Sequence, residues 1–421
     1  MSVEKIEFKS KHLFKNKIRI HIMSLFRTIK SQTSDDELNK MFIHNGLRYH
    51  DNEETGLTLL KYNQSKKKDY DFSNPLVRFS RGLVFNRETK KVVCLPPEKS
   101  LHIIPFSQSI SKEQWLNEVL IEEFVDGTMI NCFNFGGNWH ISTRSFIGAN
   151  CRWYSSRNFN ELFDEAKGTL DFEKLNSSYC YTFVLRHPDN RIVAQYDSAD
   201  LCLVQVREIL EDSYNDIPVI TVQAQLKELG VEVSIPERYS VGSPEEINSL
   251  LSNMDFQKQG LVFKYNGTRS KVRNTEYEKV KFLRGNNKNM FYNYIELRKK
   301  GMVKEYLEYF PEFNDEFDGY RREIEKTTMK LFNNYKEAYI YKKKTKQEIP
   351  FELRPLCYEM HGIYLSDHVK WDRMNVINYF NRMDIARMIF IVNFEKNKEF
   401  HLEKHKPYEN SVNDEVSLSE N

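Results

Sequence analysis

Short alternations of apolar and polar residues dominate the first two thirds of the chain. Gly82-Leu83-Val84-Phe85, a polar turn and Val92-Val93-Cys94-Leu95 predict a β-hairpin. Residues 129–133 and 139–142, joined across Gly136-Gly137, predict a second. Residues 181–185 and 191–196, around His187-Pro188-Asp189-Asn190, predict a third, which 201–206 extends. Helices are expected at 221–229, ended by Gly230, and at 244–254 behind a Ser243 cap. Two further strands are expected at 260–265 and 279–283. Beyond about residue 286 the period changes. Tyr320, Ile324, Thr327, Leu331, Tyr335 and Ala338 recur at three-to-four spacing, and 372–391 reads as another helix. Pro350 and Pro355 bracket a break.

The ends are less regular. Ile18, Ile20, Ile22, Leu25 and Phe26 mix both periods, while Ser34-Asp35-Asp36-Glu37 reads as a capping box opening a helix that stops near Gly46. Lys66-Lys67-Lys68 reads as a solvated loop, and 402–421 as a polar, disordered tail. No internal repeat is seen. The whole is α+β: an N-terminal appendage (1–75), a mixed domain (76–285) of antiparallel sheets, a mostly helical C-terminal domain (286–401) and the tail.

Composition narrows the function classes. Of 421 residues, 62 are Lys or Arg and 60 Asp or Glu, a net charge of +2 that excludes a histone-like polycation but not local basic patches. Aromatics at 13% can fill a core. No apolar run is long enough for a membrane span, and Met1-Ser2-Val3-Glu4-Lys5 opens no signal-type stretch. The six cysteines show no C-x-x-C pair, so reduced, buried thiols in a cytoplasmic compartment are expected and a zinc site is not.

Candidate chemistry lies in an ordered series of short segments. These are Ser80-Arg81-Gly82, Glu123-Phe124-Val125-Asp126-Gly127-Thr128, Tyr181-Thr182-Phe183-Val184, Gln259-Gly260-Leu261-Val262-Phe263-Lys264 and Glu278-Lys279-Val280-Lys281. Between them stand Trp139-His140-Ile141-Ser142-Thr143-Arg144 and His187-Pro188-Asp189-Asn190-Arg191-Ile192-Val193. In order and spacing the series resembles the covalent nucleotidyltransferase superfamily of ATP-dependent ligases and capping enzymes, above all the T-even phage RNA ligase 1 family. The resemblance covers about residues 76–285. It implies a ligase-type nucleotidyltransferase domain, ATP and Mg²⁺ as cofactors, and RNA as partner. In that family a lysine attacks the α-phosphate of ATP, AMP passes to an RNA 5′-phosphate, and a 3′-hydroxyl displaces it.

Residue by residue, the resemblance implies nucleotide contacts for Arg81, Asp126 and Gly127, for Lys99 and Arg144, and for Lys279 and Lys281. It also shows departures. Phe124 stands where the nucleophilic lysine belongs, and a phenyl ring has no lone pair for phosphorus. Thr182 stands for a glutamate of the third motif, and Gln259 for a glutamate of the fourth. The expectation is therefore an RNA-ligase-like pseudoenzyme that binds nucleotide or RNA ends without adenylating itself, with no catalytic residue and no protein-held metal. Sealing of pre-adenylated ends, another nucleophile such as Lys264 or Lys99, and a scaffold keeping only the fold are the alternatives. Plainer readings stand beside these. Phe124 can be a packing ring, and Thr182 and Gln259 ordinary strand residues. Lys342-Lys343-Lys344 and Lys346, beside Tyr339 and Tyr341, read either as a solvated helix end or as a grip on RNA phosphate. Residues 353–364 read as ordered, either partner surface or packing.

Overall fold

The computed structural model describes residues 25–62, 70–108 and 110–398. Positions 18, 20 and 22, the lysines at 66–68 and the 402–421 tail lie outside the described residues. The chain divides into two compact units, Met1–Phe282 and Leu283–Asn421.

The first unit contains thirteen strands among the described residues. In chain order they are β1 (Leu47–Asn52), β2 (Leu57–Tyr62), β3 (Arg81–Asn86), β4 (Val92–Cys94), β5 (Leu120–Glu123), β6 (Thr128–Phe135) and β7 (Asn138–Ser142). Then come β8 (Tyr179–Arg186), β9 (Asp200–Ile209), β10 (Tyr214–Ile217), β11 (Arg238–Tyr239), β12 (Gly260–Tyr265) and β13 (Thr268–Arg273). They form three antiparallel sheets, ordered β1-β2-β3-β4, β10-β9-β8-β6-β7 and β11-β5-β12-β13. The α+β reading holds.

Each sheet buries one apolar face against helices. Leu38 and Phe42 of Asp35–His44 pack with Leu60, Leu83 and Phe85 of the first sheet. Leu162 and Phe163 of Phe159–Ala166, and Val222 and Leu226 of Val219–Glu228, cover Phe183, Leu203 and Val206 of the second. Trp115, from the helix Lys112–Glu118 whose Ser111 and Gln114 form a reciprocal capping box, packs with Ile121, Leu261 and Phe263 of the third. The first two expected hairpins appear as β3–β4 and β6–β7. The six cysteines are free thiols, all buried except the half-buried Cys151.

Two strand expectations fail for identifiable reasons. Residues 191–196 form no strand, and β8 pairs instead with β6 and β9. The N–H groups of Val193 and Ala194, which a ladder would need, donate to the Asp126 carboxylate. Residues 279–283 lie in the helix Thr275–Arg284, and the partner of β12 is β13. Asn266 and Gly267 join those two strands with both φ values positive (43° and 69°), a two-residue turn whose twist matches the hairpin.

The second unit is helical. Asn314–Tyr335 buries Phe317, Ile324, Leu331 and Tyr335 along one stripe and continues into a π-helical turn, Lys336–Ile340. The 353–364 segment is a helix, Arg354–Asp367, with Pro355 in its first turn where its missing N–H is harmless. The 372–391 segment is two helices, Arg373–Arg382 and Ile385–Asn393. The break is at Asp384, whose carboxylate accepts from the N–H of Ala386 and Arg387 and restarts the helix.

Candidate functional site

The first unit encloses a cavity of about 860 Å³. One wall is the face of the β5-β12-β13 sheet that carries Val262, Lys264, Arg269, Lys271 and Arg273. On β13 the residues 269, 271 and 273 alternate, so three cations point the same way. The other walls come from Arg81 and Lys99, from Gly127, Met129, Arg144 and Val184, and from Lys281.

Close backbone approaches set these walls. A Cβ on Gly82 (φ +97°) would stand 2.9 Å from Arg144 Cα, so the start of β3 passes directly beside the loop after β7. Arg81 and Arg144 consequently share one corner: Arg81 Nη1 donates to Tyr62 Oη at 3.0 Å, and the Arg144 guanidinium lies 5.9 Å from the same ring. A Cβ on Gly127 would stand 2.4 Å from the Leu185 carbonyl oxygen and one on Gly260 2.2 Å from that of Val272, so only glycine lets these strands close.

Phe124 sits at this junction. Its N–H donates to the Gly260 carbonyl at 2.8 Å, and its half-buried ring lines the cavity. Lys271 Nζ lies 5.0 Å and the Arg273 guanidinium carbon 5.8 Å from the ring centroid. The ring is thus a cavity wall faced by two cations.

The cavity's carboxylates are already engaged. Glu122 pairs with Lys264 at 2.6 Å and Glu123 with Lys258 at 3.5 Å. Glu98 and Asp216 pair with the buried Arg207 at 2.8 and 2.9 Å. No ion pair is formed by Arg81, Lys99, Arg269, Lys271 or Lys281 among the described residues. Lys271 is held down to about 7, first by burial and then by the charges of Arg273, Arg81, Arg269 and Lys99. Burial, partly countered by Glu98, takes Arg269 down to about 10. Lys281 is lowered by burial and Arg273, and Arg144 by burial and Arg81. The Nε atoms of Arg81, Arg269 and Arg273 are buried without a hydrogen-bond partner. Such a constellation suits a multiply charged anion.

The expected site residues are distributed unevenly over this geometry. Arg81, Lys99, Gly127, Arg144, Gln259 and Lys281 line the cavity with Phe124. Asp126 does not. Its carboxylate accepts from the Val193 and Ala194 N–H groups, both at 3.0 Å, and from the Tyr277 hydroxyl at 2.6 Å, while the Tyr196 hydroxyl donates to its carbonyl. This buried aspartate organises the fold around the cavity. Lys279, on the outer side of its helix, is exposed and pairs with Glu276, because on a helix residues 279 and 281 do not share a face. Thr182 is buried, donates to Asn131 Oδ1 at 3.0 Å and does not line the cavity, whereas Val184 does. Lys264 has both a carboxylate and the Val204 carbonyl as partners. Unforeseen were Val184, Arg269, Lys271 and Arg273. For the three cations a signal existed: Asn266-Gly267 between alternating runs is a strong short-range hairpin mark.

A protein-held divalent metal does not fit these residues. Among the described residues no group of three or more His, Cys, Asp or Glu side chains is placed to hold a metal ion, and four of the lining carboxylates, Glu98, Glu122, Glu123 and Asp216, are bound to cations. A polyanion fits the converging cations.

In sequence, residues of this chain are 29% identical over 160 residues to a protein of Autographa californica nuclear polyhedrosis virus bearing the name bifunctional polynucleotide kinase/RNA ligase. They are 33% identical over 104 residues to an RNA ligase of Rhodothermus phage RM378. The chain resembles RNA ligases. The matches take in 34% and 21% of this chain and only 23% and 22% of those relatives, so the likeness to RNA ligases spans less than a quarter of either. No family model matches. Among solved structures, an archaeal ATP-dependent RNA ligase is similar at a TM-score of 0.42 and 12% identity, over 90% of this chain and 82% of that one. A Naegleria gruberi RNA ligase variant with AMP and Mn is similar at 0.35 and 14%, over 44% and 57%. Both likenesses are distant. No helix of the described residues is long and apolar enough to cross a membrane.

Proposed function

We propose that this RNA-ligase-like chain holds a nucleotide, or the 5′-phosphorylated end of an RNA, in the cationic cavity, with no covalent bond at position 124. The reading is carried by one observation: Arg81, Arg269, Lys271 and Arg273 converge on the cavity with three buried guanidinium Nε atoms lacking partners. Burying like charges together opposes folding, and a bound polyphosphate would relieve it. Phe124 contributes a flat wall, suitable for a base or sugar but not for attack on phosphorus.

The test is titration calorimetry of the full chain with ATP, beside incubation with α-labelled ATP and denaturing electrophoresis. Saturable binding, weakened at least tenfold by Arg273→Ala, with no labelled protein, is the expected pair of results. Absence of binding to both ATP and a 5′-phosphorylated oligonucleotide at low salt would leave a scaffold that keeps only the fold.

A second reading has its own observation. Lys271 Nζ stands beside the Phe124 ring without an acidic partner, and its lowered pKa leaves much of it as free amine near neutrality. It could take over the attack: the N–P bond forms at the α-phosphorus, the bond to the bridging oxygen breaks, pyrophosphate leaves, and the amine's proton passes to solvent. A labelled adduct that disappears in Lys271→Met and persists in Lys264→Met and Lys99→Met would replace the first reading with this one.

A further inference from the structure

We propose that the helical unit carries a binding surface for single-stranded polynucleotide, where the π-helical turn Lys336–Ile340 packs on the helix Arg354–Asp367. A ladder of rings leads outward from the core. Tyr335, almost fully buried, stacks on Tyr339 at 5.5 Å and 18°. Tyr339 lies 4.4 Å from His361, which stacks on Tyr364 at 6.0 Å and 19°. Tyr364 is 43% exposed, and Tyr358, one turn before His361, is 69% exposed. The outer rings therefore present faces to water above an aromatic base that holds the inner ones in place.

Cations flank the ladder. Lys346 Nζ lies 5.6 Å from the Tyr339 ring and Lys343 Nζ 5.8 Å from that of Tyr341, itself 57% exposed. Between residues 336 and 346 the chain carries five lysines and one glutamate. That glutamate, Glu337, faces Lys344 at 3.8 Å, and Lys344 also donates to Asn334. Lys342, Lys343 and Lys346 form no ion pair among the described residues. The turn that presents them is fixed: the Tyr341 N–H donates to the Lys336 carbonyl, the Lys343 N–H to that of Glu337, and Lys342 takes φ +52°.

A solvated helix end explains the lysines but not four rings stepping to the surface beside them. Rings that stack and cations within about 6 Å of them are the paired elements of single-strand recognition, the first for unstacked bases and the second for phosphates. A duplex keeps its bases stacked and offers nothing to Tyr358 or Tyr364. A protein partner would have to bring acids to match the lysines.

The experiment is fluorescence anisotropy with the full chain and labelled 12-mer strands, at salt between 50 and 200 mM. The strands carry a 5′-hydroxyl, so the cavity's phosphate site is not engaged. The double variant Tyr358→Ala/Tyr364→Ala is expected to bind about thirtyfold more weakly or worse. Lys342→Ala/Lys343→Ala/Lys346→Ala is expected to flatten the salt slope by about 2. Tyr358→Ala/Tyr364→Ala should bind ATP like the parent, which separates this surface from the cavity reading. Tighter binding of RNA than DNA assigns the surface to RNA, and equal binding assigns it to either strand. Parent-like affinity in both surface variants, or a matched duplex bound as tightly as the single strand, overturns the proposal. The substituted tyrosines are exposed, and unchanged circular dichroism confirms that the variants are folded.

Discussion

Replacing Lys271 by Met tests the electrostatic core of the cavity. The amine falls from 10.5 to about 7, through burial first and then through Arg273, Arg81, Arg269 and Lys99. At 1.36 kcal/mol per pH unit, charging it in the empty cavity costs about 5 kcal/mol more than in the unfolded chain, an upper figure. The sign follows. Between pH 7 and 10.5 the unfolded chain binds the extra proton, so stability climbs with pH across that window and bears the full penalty below pH 7. Lys271→Met, similar in length and uncharged, should melt higher than the parent at pH 6 and gain little at pH 10. Binding a polyanion pulls the amine back toward its ordinary value, so ligand and proton bind together. At pH 8 the free amine is about one-tenth charged, and ATP binding should take up about 0.9 proton. The parent's affinity should fall by up to tenfold per pH unit above 7, where the ATP phosphates no longer titrate, and the variant's should stay flat. Calorimetry in two buffers of different ionisation enthalpy measures the uptake. Equal proton uptake by parent and variant would refute the reasoning.

Other outcomes follow from side-chain placement. Thr182→Glu puts a carboxylate at a buried position whose partner is Asn131, and should destabilise by about 3 kcal/mol or more in urea unfolding, whereas Val184→Glu faces the cavity cations and should change stability by less than about 1 kcal/mol. Asp126→Ala strips an acceptor from two backbone N–H groups and the Tyr277 hydroxyl; a loss of about 3 kcal/mol or more is expected, against about 1 for Tyr277→Phe, which leaves the two N–H bonds. Because Glu122, Glu123, Glu98 and Asp216 in the lining are bound to Lys264, Lys258 and Arg207, EDTA in place of Mg²⁺ should change the ATP affinity of the chain by less than about threefold. A tenfold gain with Mg²⁺ would contradict that charge assignment.

Much of the fold was readable because hairpins announce themselves locally. β3–β4 and β6–β7 needed only alternation and a turn, and the helix Asn314–Tyr335 only its stripe. At two places a long-range partner overrides the local pattern. Residues 191–196 alternate like a strand, but Asp126 takes two of their N–H groups. Thr182 and Val184 lie two apart on β8, and only packing decides that one meets Asn131 and the other the cavity. The 279–283 error was avoidable. Lys279 and Lys281 were favoured for their spacing, although Asn266-Gly267 already marked 268–273 as the partner of β12. Phe124, Arg81 and Arg144 were found by order along the chain, and their meeting in one cavity depends on close approaches at Gly82 and Gly260 that no local pattern reveals.

The direction of the substitutions bears on why the cavity is cationic. Against the pattern the sequence resembles, Phe124 stands for a positive group and Gln259 for a negative one in the cavity lining, while Thr182, standing for another negative group, lies outside that lining. Within the lining these two differences cancel in charge, and Arg81, Arg269, Lys271 and Arg273 are crowded together. A chain that kept only its shape would be more stable with these cations replaced, since each raises the cost of charging its neighbours, as Lys271 registers most strongly. Crowded like charges with unsatisfied guanidinium nitrogens make sense where an anion completes them. Glu98, Glu122, Glu123 and Asp216 are each taken up by a cation of the protein. On the function proposed above, the crowded cations hold phosphate while the phenyl ring at position 124 offers no group for covalent attack there.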